Sequence, residues 1–394
     1  MTAASPSLDG DRKREPLVRC IAFHLSQFHP IPENDEWWGK GFTEWANVMR
    51  ARPNFVGHYQ PHLPADLGFY DLRLPEVREQ QADLARAHAI HAFCYYYYWF
   101  AGKRLLERPV EELRASGKPD FPYCFCWANE NWTRQWDGAD NEILIAQDPR
   151  HTDDERFIRD LLPHFRDPRY VRVGGMPLLI IYRVGLLPDP RKSATIWREI
   201  CLKEGVGELY LCAAKTYGTS DPALYGFDAV VEFPPHGVRF ASKNAAFQIT
   251  NPAFKGSILD YRELVRDQLV KPQPTYKIHP TVMTGWDNTA RRPNLGSTFV
   301  NATPEVYEVW LREVVARTVE RREPEERLVF VNAWNEWAEG AHLEPDRRYG
   351  LQFLEATRRA VCDEPVDGAP FARFSGRTRF ETNLAIARPA GANA

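Results

Sequence analysis

No apolar run in this 394-residue chain approaches the roughly 18 residues needed to span a bilayer. The opening stretch, MTAASPSLDGDRKREP, is polar and charged and lacks the apolar h-region of a secretory signal. These two absences give the expectation of a cytoplasmic chain with no membrane insertion. Charge of one sign is also lacking: 50 Lys and Arg against 53 Asp and Glu leave a formal net charge of −3. There is no basic footprint for nucleic acid. No GxGxxG or GxxxxGK[ST] pattern follows any strand-like run, which argues against a Rossmann or P-loop nucleotide core. An Asp-x-Asp motif at a strand end is absent too. The seven Cys have no regular spacing, and Cys94, Cys124, Cys126 and Cys212 lie in apolar runs. Free buried thiols in a reducing compartment are the expectation. Cys124 and Cys126 share a face at strand spacing, which is a weak metal signal.

Aromatic residues are abundant: 12 Trp, 16 Tyr and 22 Phe. Many of the Trp stand beside Asn, Glu, Asp or Arg, where a purely structural core would place apolar neighbours. Aromatic faces stack on apolar rings, including the C–H faces of sugars.

Eight short runs read as strands: residues 18–25, 89–96, 121–127, 177–182, 208–213, 229–233, 279–285 and 327–334. Most are continuously apolar, as parallel strands covered on both faces are. Helical spacing recurs between them at 74–88, 153–165, 194–204, 258–269 and 304–320, and a last element spans 347–361. Thr303-Pro304 reads as an N-cap followed by Pro at the first helical position. Eight β-then-α units predict an α/β fold, the (β/α)₈ TIM barrel. A doubly wound open sheet is the alternative. No linker or internal repeat is evident, so the division is a flexible segment 1–17, one barrel domain 18–383 and a disordered tail 384–394. Two long connections, 26–73 and 236–255, both follow strands and so fall on the end where barrels keep their active sites.

Polar and aromatic residues cluster where strands end. Gln27 and His29 follow the first strand, Tyr98 and Trp99 the second, and Trp127, Asn129, Glu130, Trp132 and Trp136 the third. Glu232 and His236 follow the sixth, Trp286 and Asp287 the seventh, and Asn335 and Trp337 the eighth; Trp45 adds an aromatic from the first long loop. On one rim they form a cleft of stacking faces and bidentate hydrogen-bonding groups, suited to a neutral polyhydroxylated ligand. An oligo- or polysaccharide is the expected partner, and no cofactor is expected.

The sharpest feature is Glu336 and Glu339 in Trp334-Asn335-Glu336-Trp337-Ala338-Glu339-Gly340. If the chain turns helically after strand eight, i and i+3 share a face with Cβ atoms about 5–6 Å apart. Two carboxylates that close do not both ionise cheaply, so one pKa should rise, giving an acid and a base. Two solvated loop glutamates are the plainer alternative. Opposed carboxylates in glycosidases flank the scissile bond, whereas a pair on one turn approaches from one side. A base acting on a substrate hydroxyl beside the anomeric carbon fits that placement better. Glu130 and Glu232 compete for a catalytic role, against substrate binding or an Arg partner. His58-x₃-His62 with Asp66 lies in a Pro-rich loop rather than a helix, so shared ligation is not expected and no metal site is read. His24 and His29 line the cleft or satisfy loop carbonyls, and the charge run 321–327 reads as a solvated turn.

Several stretches carry a resemblance: Gln27-Phe28-His29-Pro30 with Asn34, Trp37-Trp38-Gly39-Lys40-Gly41-Phe42-Thr43-Glu44-Trp45, Gly57-His58-Tyr59-Gln60-Pro61, Tyr95 to Phe100, Trp127 to Trp132, and Trp334 to Gly340. Over about residues 18–360 the chain resembles the WbsX-type, glycoside hydrolase family 99-like proteins of bacterial polysaccharide loci. That group is described in lipopolysaccharide and O-antigen biosynthesis, in places as glycosyltransferases. Family 99 proper comprises retaining endo-acting α-mannosidases and mannanases on a (β/α)₈ barrel, working through a 1,2-anhydrosugar. Their Glu-Trp-His-Glu-Gly segment is matched here except at Ala338. The resemblance implies Glu336 as the base on the 2-hydroxyl and Glu339 as the group that protonates the leaving oxygen and then activates water. His24, Ser26 and Ala92 depart from the WbsX-type pattern, where Tyr, Pro and Gly are commoner. Mannose specificity does not carry over. The expected function is glycoside hydrolysis or transglycosylation on a surface polysaccharide or its precursor; glycosyl transfer and binding without catalysis are the alternatives.

Overall fold

Residues 14–134, 139–145 and 153–365 are described in this computed structural model. Trp136, the tail 384–394 and residues 1–13 of the N-terminal segment lie outside them. Eight strands build the barrel: β1 (Arg19–His24), β2 (Ile90–Phe100), β3 (Tyr123–Trp127), β4 (Met176–Ile181), β5 (Tyr210–Ala214), β6 (Ala229–Val231), β7 (Ile278–His279 and Thr281–Met283) and β8 (Leu328–Asn332). All pair in parallel, in the ring order β6, β5, β4, β3, β2, β1, β8. β7 closes the ring. It is interrupted at Pro280, which has no N–H to give. Ile278–His279 pairs with β6, and Thr281–Met283 pairs with β8. This is the expected (β/α)₈ barrel, and each of the eight sequence runs contributes one of its strands.

The helices are α1 (Pro32–Trp38), α2 (Glu44–Arg50), α3 (Pro75–Ala87), α4 (Arg108–Ser116), α5 (Asp154–Phe165), α6 (Pro190–Lys203), α7 (Tyr261–Val270), α8 (Pro304–Arg321) and α9 (Gln352–Val361). Capping fixes several starts. Asp153 accepts from Arg156 N, Asp189 from Lys192 N and Thr303 from Val306 N. α1, α2 and α4 have no counterpart in the helical spacing of the sequence: each is short, and α1 and α2 subdivide the first long connection. The fifth unit has only a 3-10 turn, Pro222–Tyr225, in place of a helix.

Strand alternation sorts the aromatics. Phe23, Tyr96, Phe233 and Phe330 come from four separate parts of the ring and meet inside it, with Phe23 4.8 Å from Phe233, 5.6 Å from Phe330 and 6.0 Å from Tyr96. Such a meeting is possible only on the barrel axis. One residue along, side chains point outward to the helices. Trp127 stacks on Phe157 of α5 at 4.1 Å, and Trp197 of α6 packs beside them. All seven Cys are free and buried. Among the described residues no helix is long and apolar enough to cross a membrane.

The two long connections meet over one end of the barrel. Phe55 bridges Ile249, Val56 N donates to Gln248 O at 2.9 Å, and Asn251 donates to Asn54 at 2.8 Å.

Candidate active site

After β8 the chain makes a short antiparallel pair, Asn335–Glu336 with Ala341–His342, around a 3-10 turn at Trp337–Glu339. In a 3-10 turn, side chains at i and i+3 eclipse, so Glu336 and Glu339 project together as expected. Both reach one guanidinium. Arg291 donates from Nη2 to Glu336 Oε2 at 2.9 Å and from Nη1 to Glu339 Oε1 at 2.6 Å. It also holds a third carboxylate, Glu44 at the start of α2, from Nε at 2.8 Å and Nη2 at 2.5 Å. Asn47 donates to the other Glu44 oxygen at 3.3 Å. Glu44 is fully buried and the Glu336 side chain 6% exposed, while that of Glu339 is 21% exposed.

Three carboxylates against one cation leave an excess of negative charge in a dry place. Burial is the main cause that pushes the Glu336 carboxyl up, to about 8, with Glu339 and Glu44 adding repulsion and Arg291 opposing them. Burial raises Glu339 as well. The two titrate as a pair. Arg291 is held well above its usual range by the same carboxylates, against its own desolvation, so its charge is permanent. Tyr98 faces this cluster, feeling Glu336, Arg291 and Glu44, and Tyr96 feels Glu336.

Around the cluster the expected rim divides. Tyr98, Trp132 and Trp37 form an edge-to-face wall, with centroids 5.2 Å and 5.8 Å apart in sequence. His236 shares a hydrogen bond with the Tyr182 hydroxyl at 2.8 Å, and Tyr182 feels Glu339. Trp286 is half-buried on a cavity of about 310 Å³ beside the β8 turn. Glu130 is paired to Arg183, the partner role weighed for it, and Arg183 lies 3.6 Å over the Tyr217 ring.

Other expected contacts are corrected. Trp99 and Trp127 point outward to α5, because inward positions fall to Tyr98 and Cys126 by the two-residue alternation. Glu232 is outward for the same reason, since Phe233 takes the axis. It faces Lys271 and Lys215, and burial raises its pKa. Trp45 packs beneath the turn, 4.7 Å from Phe28 and 5.6 Å from Trp337. Trp337 stacks on His342 at 3.8 Å and donates to Glu344 at 2.7 Å. Asn335 clamps β1, accepting from Leu25 N at 2.7 Å and donating to Leu25 O at 3.0 Å. Asn129 clamps Arg183 through both backbone groups. Asp287 is saturated by His58 at 2.6 Å and by Thr289, which draw its pKa down against burial. Gln27 and His29 are buried at the root of the first loop, where Gln27 O accepts the Glu44 N–H. Most of these side chains hold the site, while Asp287 also borders the cavity beside the β8 turn and Glu232 borders another together with His236.

Glu44 stands in the aromatic run Trp37 to Trp45 with no second acid next to it to single it out, and Arg291 sits in an ordinary Ala290-Arg291-Arg292-Pro293 run. The available signal was electrostatic: two buried acids on one turn require a cation.

Gly340 ends the turn with φ +59°, and a Cβ there would lie 2.9 Å from both Asp287 N and Asp287 Cβ. Gly340→Ala is therefore expected to lower stability by about 1–3 kcal/mol. Urea denaturation of the two proteins measures it; equal midpoints would show that the β7 and β8 loops are not locked together here.

The family model described as Glycosyltransferase WbsX matches residues 20–357. The protein WxcX of two Xanthomonas campestris pv. campestris strains is 49% identical over 345 residues, covering 88% of this chain. The chain spans about half the length of these curated relatives, 50% of each. Among solved structures, a glycoside hydrolase-like protein matches with TM-score 0.55 at 15% identity, over 91% of this chain and 97% of its own. A family 99 endo-α-mannosidase from Bacteroides thetaiotaomicron, bound to bis-tris-propane, matches with TM-score 0.55 at 15% identity, over 94% and 99%. These structural likenesses concern the fold.

Proposed function

The chain belongs to the WbsX family, and on that premise we propose that it is a retaining, glycoside hydrolase-like enzyme acting on a bacterial surface polysaccharide or its precursor. One observation carries the reading: Glu336 and Glu339 rise from a single turn onto one Arg291 guanidinium. The fold shared with family 99 endo-α-mannosidases supports it.

In the proposed reaction Glu336 takes the proton of the substrate hydroxyl next to the anomeric carbon. That oxygen bonds to the anomeric carbon as the glycosidic C–O bond breaks, and Glu339 gives its proton to the leaving oxygen. Water then opens the three-membered ring: Glu339 takes the proton of the water, and Glu336 returns one to the 2-hydroxyl. Two inversions give net retention. Glu339, the more exposed of the two, faces the side from which the leaving group and water come and go. Arg291 keeps both carboxylates aimed and limits how far burial raises their pKa. Tyr98 and Trp132 offer a wall for a sugar face.

The family's own description favours a second reading, glycosyl transfer in lipopolysaccharide or O-antigen assembly. Incubation with bacterial surface polysaccharides and aryl glycosides, without any nucleotide sugar, separates the two. Hydrolysis predicts new reducing ends that disappear in Glu339→Gln. Strict dependence on a nucleotide sugar overturns it in favour of transfer.

A further inference from the structure

A second cluster of side chains lies beside the turn that carries the Glu pair, where His342 pairs with Asn335. His62 of the first long loop, His342 and Asp346 of the segment after β8 bring one ligand atom each to within 4.8 Å of one another. His62 Nδ1 is 2.9 Å from His342 Nε2. His342 and Asp346 are four residues apart, but His62 comes from the other end of the chain, so the sequence does not announce the three together. His58, the nearer sequence partner of His62, is committed elsewhere, to Asp287 through Nε2 and to Asn54 N through Nδ1.

We propose that His62, His342 and Asp346 form a binding site for one divalent cation of the zinc class. Three features of the cluster point there. First, His342 Nδ1 lies 3.0 Å from Glu344 O, so Nδ1 carries the hydrogen and Nε2 presents its lone pair. An imidazole whose far N–H is fixed on a carbonyl is the usual second-layer arrangement of a metal ligand. Second, Asp346 is oriented in the same manner. Its Oδ1 accepts the backbone N–H groups of Arg348 and Tyr349 at 3.0 and 2.7 Å, and its Oδ2 accepts the Tyr59 hydroxyl at 3.0 Å. A carboxylate oxygen has a further lone pair to give. Third, all three side chains border the cavity of about 310 Å³ that also touches Trp286, which gives an ion an entry path and leaves room for a water as fourth ligand.

Ligand chemistry sets the class. Two imidazoles and one carboxylate suit zinc and its neighbours, whereas magnesium and calcium want oxygen. At Zn–N distances of about 2.0–2.1 Å, two nitrogens on one ion are about 3.0–3.4 Å apart, within a few tenths of an ångström of the spacing seen. The rival arrangement is a plain hydrogen bond between two neutral imidazoles. The site does not depend on the glycosidase reading, because it supplies no atom to that reaction.

The test uses tag-free, full-length protein, stripped with chelator and dialysed against a small excess of Zn²⁺. Elemental analysis is expected to return about one zinc per chain, and zinc should raise the Tm by a few degrees. His62→Ala and Asp346→Asn should each lower retained zinc at least tenfold and abolish the Tm rise, while His58→Ala keeps both. His62→Ala changes a half-buried loop residue, and its own Tm without metal reports whether it folds. Should a variant fail to fold, competition of wild-type protein with a chromogenic zinc chelator gives the affinity directly. Absence of retained zinc and of a Tm rise in the wild type, or equal zinc in wild type and a folded His62→Ala, overturns the proposal and leaves the imidazole pair as a hydrogen bond. Mg²⁺ in place of Zn²⁺ should give no shift, and an equal shift would also overturn it.

Discussion

Glu339→Gln is expected to lose about 10²–10⁴-fold in turnover on a natural glycan, yet to recover most of it on an aryl glycoside whose leaving group needs no proton. Glu336→Gln should lose at least as much on both substrates, since a base is required whatever leaves. Two features of the site bear on this in opposite ways. The resemblance gives Glu336 the base role, and exposure agrees, because Glu339 is the one turned to the cleft. Burial, however, raises Glu336 to about 8, so the resting site keeps a proton deep in the pair. The pair then works as a unit, the substrate hydroxyl entering the hydrogen-bonded group before its proton moves. Steady-state kinetics with two aryl leaving groups of different acidity decide the matter. A Glu336→Gln enzyme rescued by the better leaving group, with Glu339→Gln inert on both, would exchange the two roles.

Arg291→Met should cost about 3–5 kcal/mol of stability at pH 8, because it strands three carboxylates without their cation. The pH dependence follows from the direction of the shifts. A carboxyl whose folded pKa is raised contributes stability that is fully present below its unfolded value, near 4.3–4.5, and is lost as pH rises through its folded value. For Glu336 that window runs to about 8 in the native protein. Removing Arg291 deletes the main influence holding both glutamates down, so the window widens and the loss at its top deepens. At pH 5 the stranded carboxyls take up protons and the deficit should shrink. Urea titrations of both proteins at pH 5 and pH 8 measure this. Equal deficits at the two pH values would mean that Arg291 acts by packing alone.

Much of this was legible in the chain. The eight apolar runs foretold eight strands, because parallel strands covered on both faces stay apolar throughout. Glu336 and Glu339 stood out because a helical turn between tryptophans brings i and i+3 together. Facing was harder to read. A strand end rich in aromatics does not announce which residue is inward, and a shift of one exchanges core for cleft. Trp127, Trp99 and Glu232 fell on the outward side for that reason alone, with Cys126, Tyr98 and Phe233 taking the inward positions. Long-range polar partnerships were harder still. Arg291 with Glu44, and His62 with His342, join segments more than two hundred residues apart, and nothing local in either segment calls for the other. The short helices α1, α2 and α4 escaped because each offers too few turns for a period to show.

The seven thiols have a bearing on where such a barrel can exist. Disulfide exchange and oxidation begin at an accessible thiolate. Here every sulfur is buried, and burial holds protons on Cys20, Cys94, Cys126, Cys201, Cys212 and Cys362 far beyond neutrality. The folded protein is thereby insulated from the redox poise of its surroundings. A cysteine count that reads at first as the mark of a reducing compartment becomes, once the thiols are sealed inside, compatible with an oxidising one as well.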